Sequence, residues 1–156
     1  MDNISFVGYE GIFLPFKDAS VDWIVTRYAL HHFPDIHKAF EEMSRVLKSD
    51  GKLFISDPTP NVLDNGRFVD TYMQLKDDGH NNFYTFDEYN TLASRVGILF
   101  QSKFMSTIRF PRKMTPKYQE VINNTTDEVK ALYQIEIQDN ECYITEDVLN
   151  IILVKE

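Results

Sequence analysis

Cysteine is almost absent from this chain of 156 residues: Cys142 stands alone, which excludes an internal disulfide and fits a reducing compartment such as the cytoplasm. Long apolar runs are missing too. None approaches the roughly 20 residues of a membrane-crossing helix, so no membrane partner is expected, and the first residues carry no basic-then-apolar leader pattern. Clustered positive charge is also lacking. The net charge is −8, with no Lys/Arg patch to offset it, which disfavours a nucleic-acid backbone as partner. There are no internal repeats and no low-complexity segments. Glycine is sparse: six in all, and the closely spaced pair near the start, Gly8 and Gly11, precedes no helical pattern. What is present is ordinary for a globular protein, 43% hydrophobic and 26% charged. The length suits one domain over residues 1–156 with a real core.

The stretch from Val21 to Asp57 organises the rest. An apolar, β-branched run, Trp23 to Thr26, passes through a polar and aromatic turn, Arg27 to Phe33, into a segment of helical period. There Ile36, Ala39, Phe40, Met43, Val46 and Leu47 share one face. Asp35 suits the N-cap, and Glu42 and Arg45 can pair on the outer face for a few tenths of a kcal/mol. Gly51 is read as the left-handed residue that turns the chain back. A second apolar run, Leu53 to Ser56, completes a βαβ unit, and with it an α/β fold built on a parallel sheet. Strands in such sheets carry their chemistry at their carboxyl ends, here Arg27 to His32 and Asp57 to Pro60.

Flanking elements follow from local signals. Ile4 to Val7 is a short candidate strand. Phe68 to Leu75 reads as a short amphipathic helix. Thr85 and Glu88 form a capping box, Tyr84 and Tyr89 a hydrophobic staple, and Gly97 ends that helix. Leu99 to Phe110 alternates as a half-exposed strand, with Phe100, Phe104, Ile108 and Phe110 on its inner side and Pro111 as its stop. Thr115-Pro116 opens a further helix, Asn123-Asn124 interrupts it, and Thr125 with Glu128 can restart it. Val148 to Val154 reads as a strand buried on both faces.

LPFKDASVDWIVTRYALHHFPD, followed by EEMSRVLKSDGKLFISD, resembles the class I S-adenosylmethionine-dependent methyltransferases, closest to the subgroup of ubiquinone and menaquinone biosynthesis enzymes. The similarity runs from about Phe6 to about Phe100. LKDDGHNNFYTFDEY resembles a further segment of that subgroup, with Lys76 where an Arg is usual and Asp77 and His80 matching. The resemblance implies a Rossmann-like sheet, mostly parallel with one late antiparallel strand. It also implies S-adenosylmethionine as cofactor and a small-molecule methyl acceptor. Residues 1–110 form the family-like core, 111–146 a divergent helical segment and 147–156 the final strand.

The family's glycine-rich loop and ribose-binding acid find no counterpart. The expected fold is therefore an incomplete sheet, without the first two strands and first helix. The strand at Trp23 to Thr26 would then have an open edge, covered by a homodimer or another partner. By resemblance Glu10 and Gly11 meet the adenine. Arg27 is a candidate for the cofactor carboxylate and Tyr28 for the pocket wall. His31, His32 and His80 are candidate proton acceptors or substrate contacts, since a histidine titrates near working pH; Asp77 is the candidate orienter of His80. Each also has a plain structural reading as a backbone-bonded or solvated side chain. No metal-ligand spacing is present. Two functions stay open: a methyltransferase-like protein that binds its cofactor incompletely as a lone chain, or a non-catalytic truncated remnant persisting as a self-associating module.

Overall fold

The computed structural model describes residues 3–9 and 12–156. Its centre is the βαβ unit: β1 (Val21–Arg27), a 3-10 turn at Leu30–His32, α1 (Ile36–Val46) and β2 (Leu47–Thr59). β1 and β2 pair in parallel, with Ile24 opposite Leu53 and Thr26 opposite Ile55. The Asp35 carboxylate caps α1 by accepting the Lys38 N–H at 3.1 Å. Ile36, Ala39, Phe40, Met43 and Val46 are buried, as the helical spacing predicts. Each large apolar side chain sealed in this way contributes roughly 1.5–3 kcal/mol.

Two details of the unit differ from expectation. The left-handed residue is Asp50, at φ 61°, within the first residues of β2. Gly51 is required for a different reason: a Cβ there would lie 2.7 Å from the Lys48 carbonyl oxygen. The Glu42–Arg45 pair is also more than a surface ion pair. Arg45 reaches the carbonyls of Leu14 and Phe16 at 2.9 Å, and Glu42 accepts the Leu14 N–H, so the pair clamps the preceding segment onto α1.

Beyond β2 come α2 (Phe68–Met73), α3 (Phe86–Arg95), β3 (Ile98–Lys113), α4 (Pro116–Asn123), α5 (Asp127–Leu132), β4 (Glu136–Gln138) and β5 (Glu141–Lys155). The sheet order is β1-β2-β5-β3, with β4 on the first residues of β5. β5 runs antiparallel to both β2 and β3, so it is the one reversed strand of an otherwise parallel path, as the resemblance implies. The capping box of Thr85 and Glu88 forms, the Tyr84 and Tyr89 rings meet at 5.3 Å, and Gly97 turns at φ 72°.

Several boundaries need correction. Ile4–Val7 forms no strand; the run is exposed, and among the described residues it pairs with no strand. Pro111 does not stop β3, which continues to Lys113: β3 is an edge strand, where a missing N–H costs no ladder bond. Phe100 and Phe104 are exposed rather than inward. The last short helix is capped by Thr126, one residue later than read, its hydroxyl accepting the Val129 N–H. β5 begins at Glu141, ahead of the apolar run that revealed it. The buried side chains gather in two clusters, one between the sheet and α1/α3, the other under α2, α4 and the start of β5.

Candidate functional site

The carboxyl ends of β1 and β2 converge on Asp57, the last acid before Pro58. Its side chain is 1% exposed. It accepts the backbone N–H groups of Ala29 and His31, each at 3.2 Å, and the Tyr89 hydroxyl at 3.0 Å. His31 Nδ1 lies 3.0 and 3.1 Å from its two oxygens. A carboxylate at Nδ1 favours the tautomer protonated there, leaving Nε2 as the ring's acceptor. Burial, then the charge of Asp57, pushes the Tyr89 phenol well up, so it stays a donor. The 3-10 turn is thus pinned to β2 by one carboxylate, and His31 is oriented by it.

The structure brings three histidines together. His31 and His32 rings lie 4.1 Å apart, His31 and His80 5.3 Å apart. Asp77, however, does not orient His80. The partner is Asp70, whose Oδ1 is 3.0 Å from His80 Nε2, and His80 is buried rather than solvated. Burial raises the Asp70 carboxyl, but the bonds from His80 and the Phe83 N–H, with the Arg67 charge, outweigh it and hold the group below the usual range. Arg67 fastens this corner, reaching Asp70 at 2.7 Å, Asn82 at 2.7 Å and the Phe83 carbonyl.

His31 and His32 face a cavity of about 360 Å³ whose walls also include Tyr28, Phe83, Phe110, Arg112 and Glu146. Glu146 was missed in the sequence because it lies in a stretch read as helical. A signal was available: Cys142, Ile144, Glu146 and Val148 alternate at period two, placing the acid on the buried face of β5. Burial pushes its carboxyl up to about 7, against the lowering effect of Arg112.

Arg27 and Tyr28 part company. Tyr28 turns at φ 51° and lines the histidine cavity, while Arg27 lines a second cavity of about 410 Å³ beside β1. The Arg27 guanidinium still sits over the Tyr28 ring, 4.6 Å from its centroid. Glu10 and Gly11 lie outside the described residues. Among the described residues no group of three His, Cys, Asp or Glu side chains is placed to hold a metal ion, and no helix is long and apolar enough to cross a membrane.

Comparison with known proteins matches this architecture. A family model described as a methyltransferase domain matches residues 3–55. The uncharacterized methyltransferase YcgJ of Bacillus subtilis is 32% identical over 154 residues, covering 90% of this chain. Its crystal structure superposes at a TM-score of 0.82 with 25% identity, over 99% of this chain and 72% of that one. In sequence and fold this chain is similar to the class I S-adenosylmethionine-dependent methyltransferases. The demethylmenaquinone methyltransferase of Staphylococcus haemolyticus is 40% identical over 65 residues, 40% of this chain and 27% of that protein. A chain from Bacillus halodurans C-125 shares the fold at a TM-score of 0.88 and 20% identity, over 99% of this chain and 73% of its own. The present chain spans 60% of the length of YcgJ.

Methyltransferases of this class use S-adenosylmethionine, which presents a purine, a ribose diol and a charged amino-acid end. The cavity beside β1 fits part of it. Ile12, Leu14, Ile24, Leu30, Phe33 and Met43 offer an apolar slot for a flat ring, and Arg27 suits a carboxylate. The one carboxylate in that wall, Glu42, is committed to Arg45 and the Leu14 N–H. The described residues of that wall therefore provide no free carboxylate for the ribose hydroxyls.

Proposed function

We propose that this chain forms the acceptor side of an S-adenosylmethionine-dependent methyltransferase acting on a small molecule, and that a lone chain holds the cofactor weakly. The observation that carries the reading is the asymmetry across β1. On one side Asp57 pins the 3-10 turn and orients His31 over a formed cavity. On the other the described walls satisfy only the ends of the cofactor, and unpaired ribose hydroxyls would forfeit affinity. The cofactor, when bound, supplies the methyl group on a sulfonium. The chain's own residues orient the acceptor and exclude water, which is most of what such a transfer asks of a protein.

Isothermal titration calorimetry with S-adenosylmethionine tests this. Heat that saturates at millimolar ligand is the expected result. Micromolar binding by a monomer would overturn the weak-binding part. Silence at millimolar ligand, at every protein concentration, would overturn the methyltransferase reading as well.

A second reading, a non-catalytic module that associates with itself, is favoured by one observation. β1 pairs only with β2 among the described residues, and Trp23 and Val25 on it are 52% and 66% exposed. Sedimentation equilibrium separates the two: a dimer with no ligand heat supports the module.

A further inference from the structure

Six buried side-chain nitrogen or oxygen atoms lack a hydrogen-bond partner among the described residues, and four of their side chains, His32, Asp78, Arg112 and Glu146, line the histidine cavity. Each such atom costs roughly 1–3 kcal/mol if nothing meets it. Chance would scatter them; here they share one space. Glu146 is the strongest case. It is 1% exposed, and its Oε1 bonds to nothing. It lies opposite Ile108, on the face of the β3–β5 ladder that also carries Phe110 and Arg112. Arg112 keeps Nε free while its guanidinium sits 4.9 Å from the Phe110 ring centroid. Tyr28, His31 and Phe83 add flat rings to the walls, beside Met73 and the Lys76 that pairs with Asp78. The cavity volume, about 360 Å³, is at the small end of the roughly 300–1,000 Å³ of small-molecule sites.

We infer that this cavity takes a small planar aromatic molecule bearing a hydroxyl or N–H donor and, apart from it, a carboxylate or carbonyl acceptor, with Glu146 receiving the donor and Arg112 the acceptor. The rings supply the stacking surface. A free carboxylate oxygen and a free guanidinium N–H are the complementary pair for such a molecule, and a purely apolar ligand would leave both unmet. The raised affinity of Glu146 for a proton agrees with a group that water does not serve. As a statement about the methyl acceptor this inference rests on the function proposed above; as a statement about binding it does not.

The probe is 4-hydroxybenzoate, with 4-methoxybenzoate and phenol as controls, titrated into the full chain without cofactor and read by ¹H–¹⁵N NMR. Shifts should gather at Ile108 to Arg112, Phe83 and Glu146. Glu146→Leu should weaken 4-hydroxybenzoate about tenfold, as loss of a charge-assisted bond would, with Glu146→Gln falling between. Binding of 4-methoxybenzoate should be weaker from the start and indifferent to Glu146. Arg112→Met should weaken 4-hydroxybenzoate and leave phenol unchanged. Unperturbed spectra away from the cavity establish that the variants fold. Shifts elsewhere, equal affinity in Glu146→Leu, or no binding of the probe at 20-fold excess over millimolar protein, roughly speaking, would overturn the inference. Calorimetry with S-adenosylmethionine on the same samples keeps the failures apart: probe bound and cofactor refused sinks the proposed function alone, and the reverse sinks this inference alone.

Discussion

Asp57 and Glu146 are equally buried, at 1% exposure each, and sit close together in the sheet: Asp57 lies opposite Leu149, three residues along β5 from Glu146. Their surroundings differ completely. Two backbone N–H groups, a phenol and an imidazole converge on Asp57. Glu146 has a distant cation, Arg112, and an oxygen with no partner. Burial alone therefore does not define a carboxylate's role. One whose bonds are all made within the chain holds structure together. One left short of bonds, in a cavity, is available to something else.

The largest expected effect comes from breaking the satisfied member. Asp57→Ala strands two N–H groups, the Tyr89 hydroxyl and His31 Nδ1 in an apolar interior. It should cost about 3–5 kcal/mol in urea unfolding, the range for removing one partner of a buried charged network. Asp57→Asn, which keeps one carbonyl acceptor, should cost visibly less. A loss in Asp57→Ala no larger than that of an exposed substitution, at most about 0.5 kcal/mol, would mean that the network is not what secures the turn.

The next effect has the opposite sign. Glu146 has its carboxyl pushed up to about 7 in the folded chain, above the ordinary 4.5. Below pH 4.5 both folded and unfolded forms carry the proton and the group is neutral to stability. Between there and about 7 the unfolded chain ionises first, so stability falls as pH rises; above that range the loss is complete. The difference corresponds to about 3 kcal/mol. Glu146→Gln should therefore be more stable than the parent at pH 8, by up to that amount, and the gain should vanish at pH 4. Urea midpoints at the two pH values check it. A parent chain as pH-insensitive as the variant would refute the contrast between the two acids.

The same contrast explains what could be read from the sequence. Asp57 stands at the end of a marked apolar run, and its neighbours His31 and His32 follow another, so the convergence of both strand ends was legible from period and order. The helix faces were legible too, because Ile36 to Val46 and Phe86 to Arg95 repeat at 3.6 with caps in place. Glu146 was hidden by its setting. The apolar signal of β5 strengthens only from Val148, where both faces are covered. Before that the strand has one buried face, and Thr125 and Glu128 nearby suggest helix. Asp77 is paired with His80 by the resembled motif, in which an Asp stands three residues ahead of a His. The loop instead folds His80 back onto α2, where Asp70 and Arg67 wait; ten residues of separation carry no local signal. A proline ends a central strand because it cannot donate to the ladder; β3 lies at an edge, so Pro111 does not end it.

A third buried acid sharpens the comparison with the smallest expected change. Asp64 is 3% exposed and accepts three bonds: the Phe68 N–H at 2.9 Å, the Val69 N–H at 3.1 Å and the Tyr133 hydroxyl at 2.7 Å. The first two anchor the start of α2, and the third ties α2 to the chain just after α5. Tyr133 also accepts the Asn61 N–H at 3.1 Å, so its oxygen links the residues after β2 to the same carboxylate. Tyr133→Phe removes that oxygen while leaving the ring in place. Asp64 keeps two donors and remains between the fully bonded Asp57 and the unbonded Glu146. The expected cost is about 1–2 kcal/mol, one hydrogen bond to a charged group plus an orphaned N–H, well below that of Asp57→Ala. A cost equal to that of Asp57→Ala would show that packing of the phenol ring rather than the count of donors sets the stability of these buried acids.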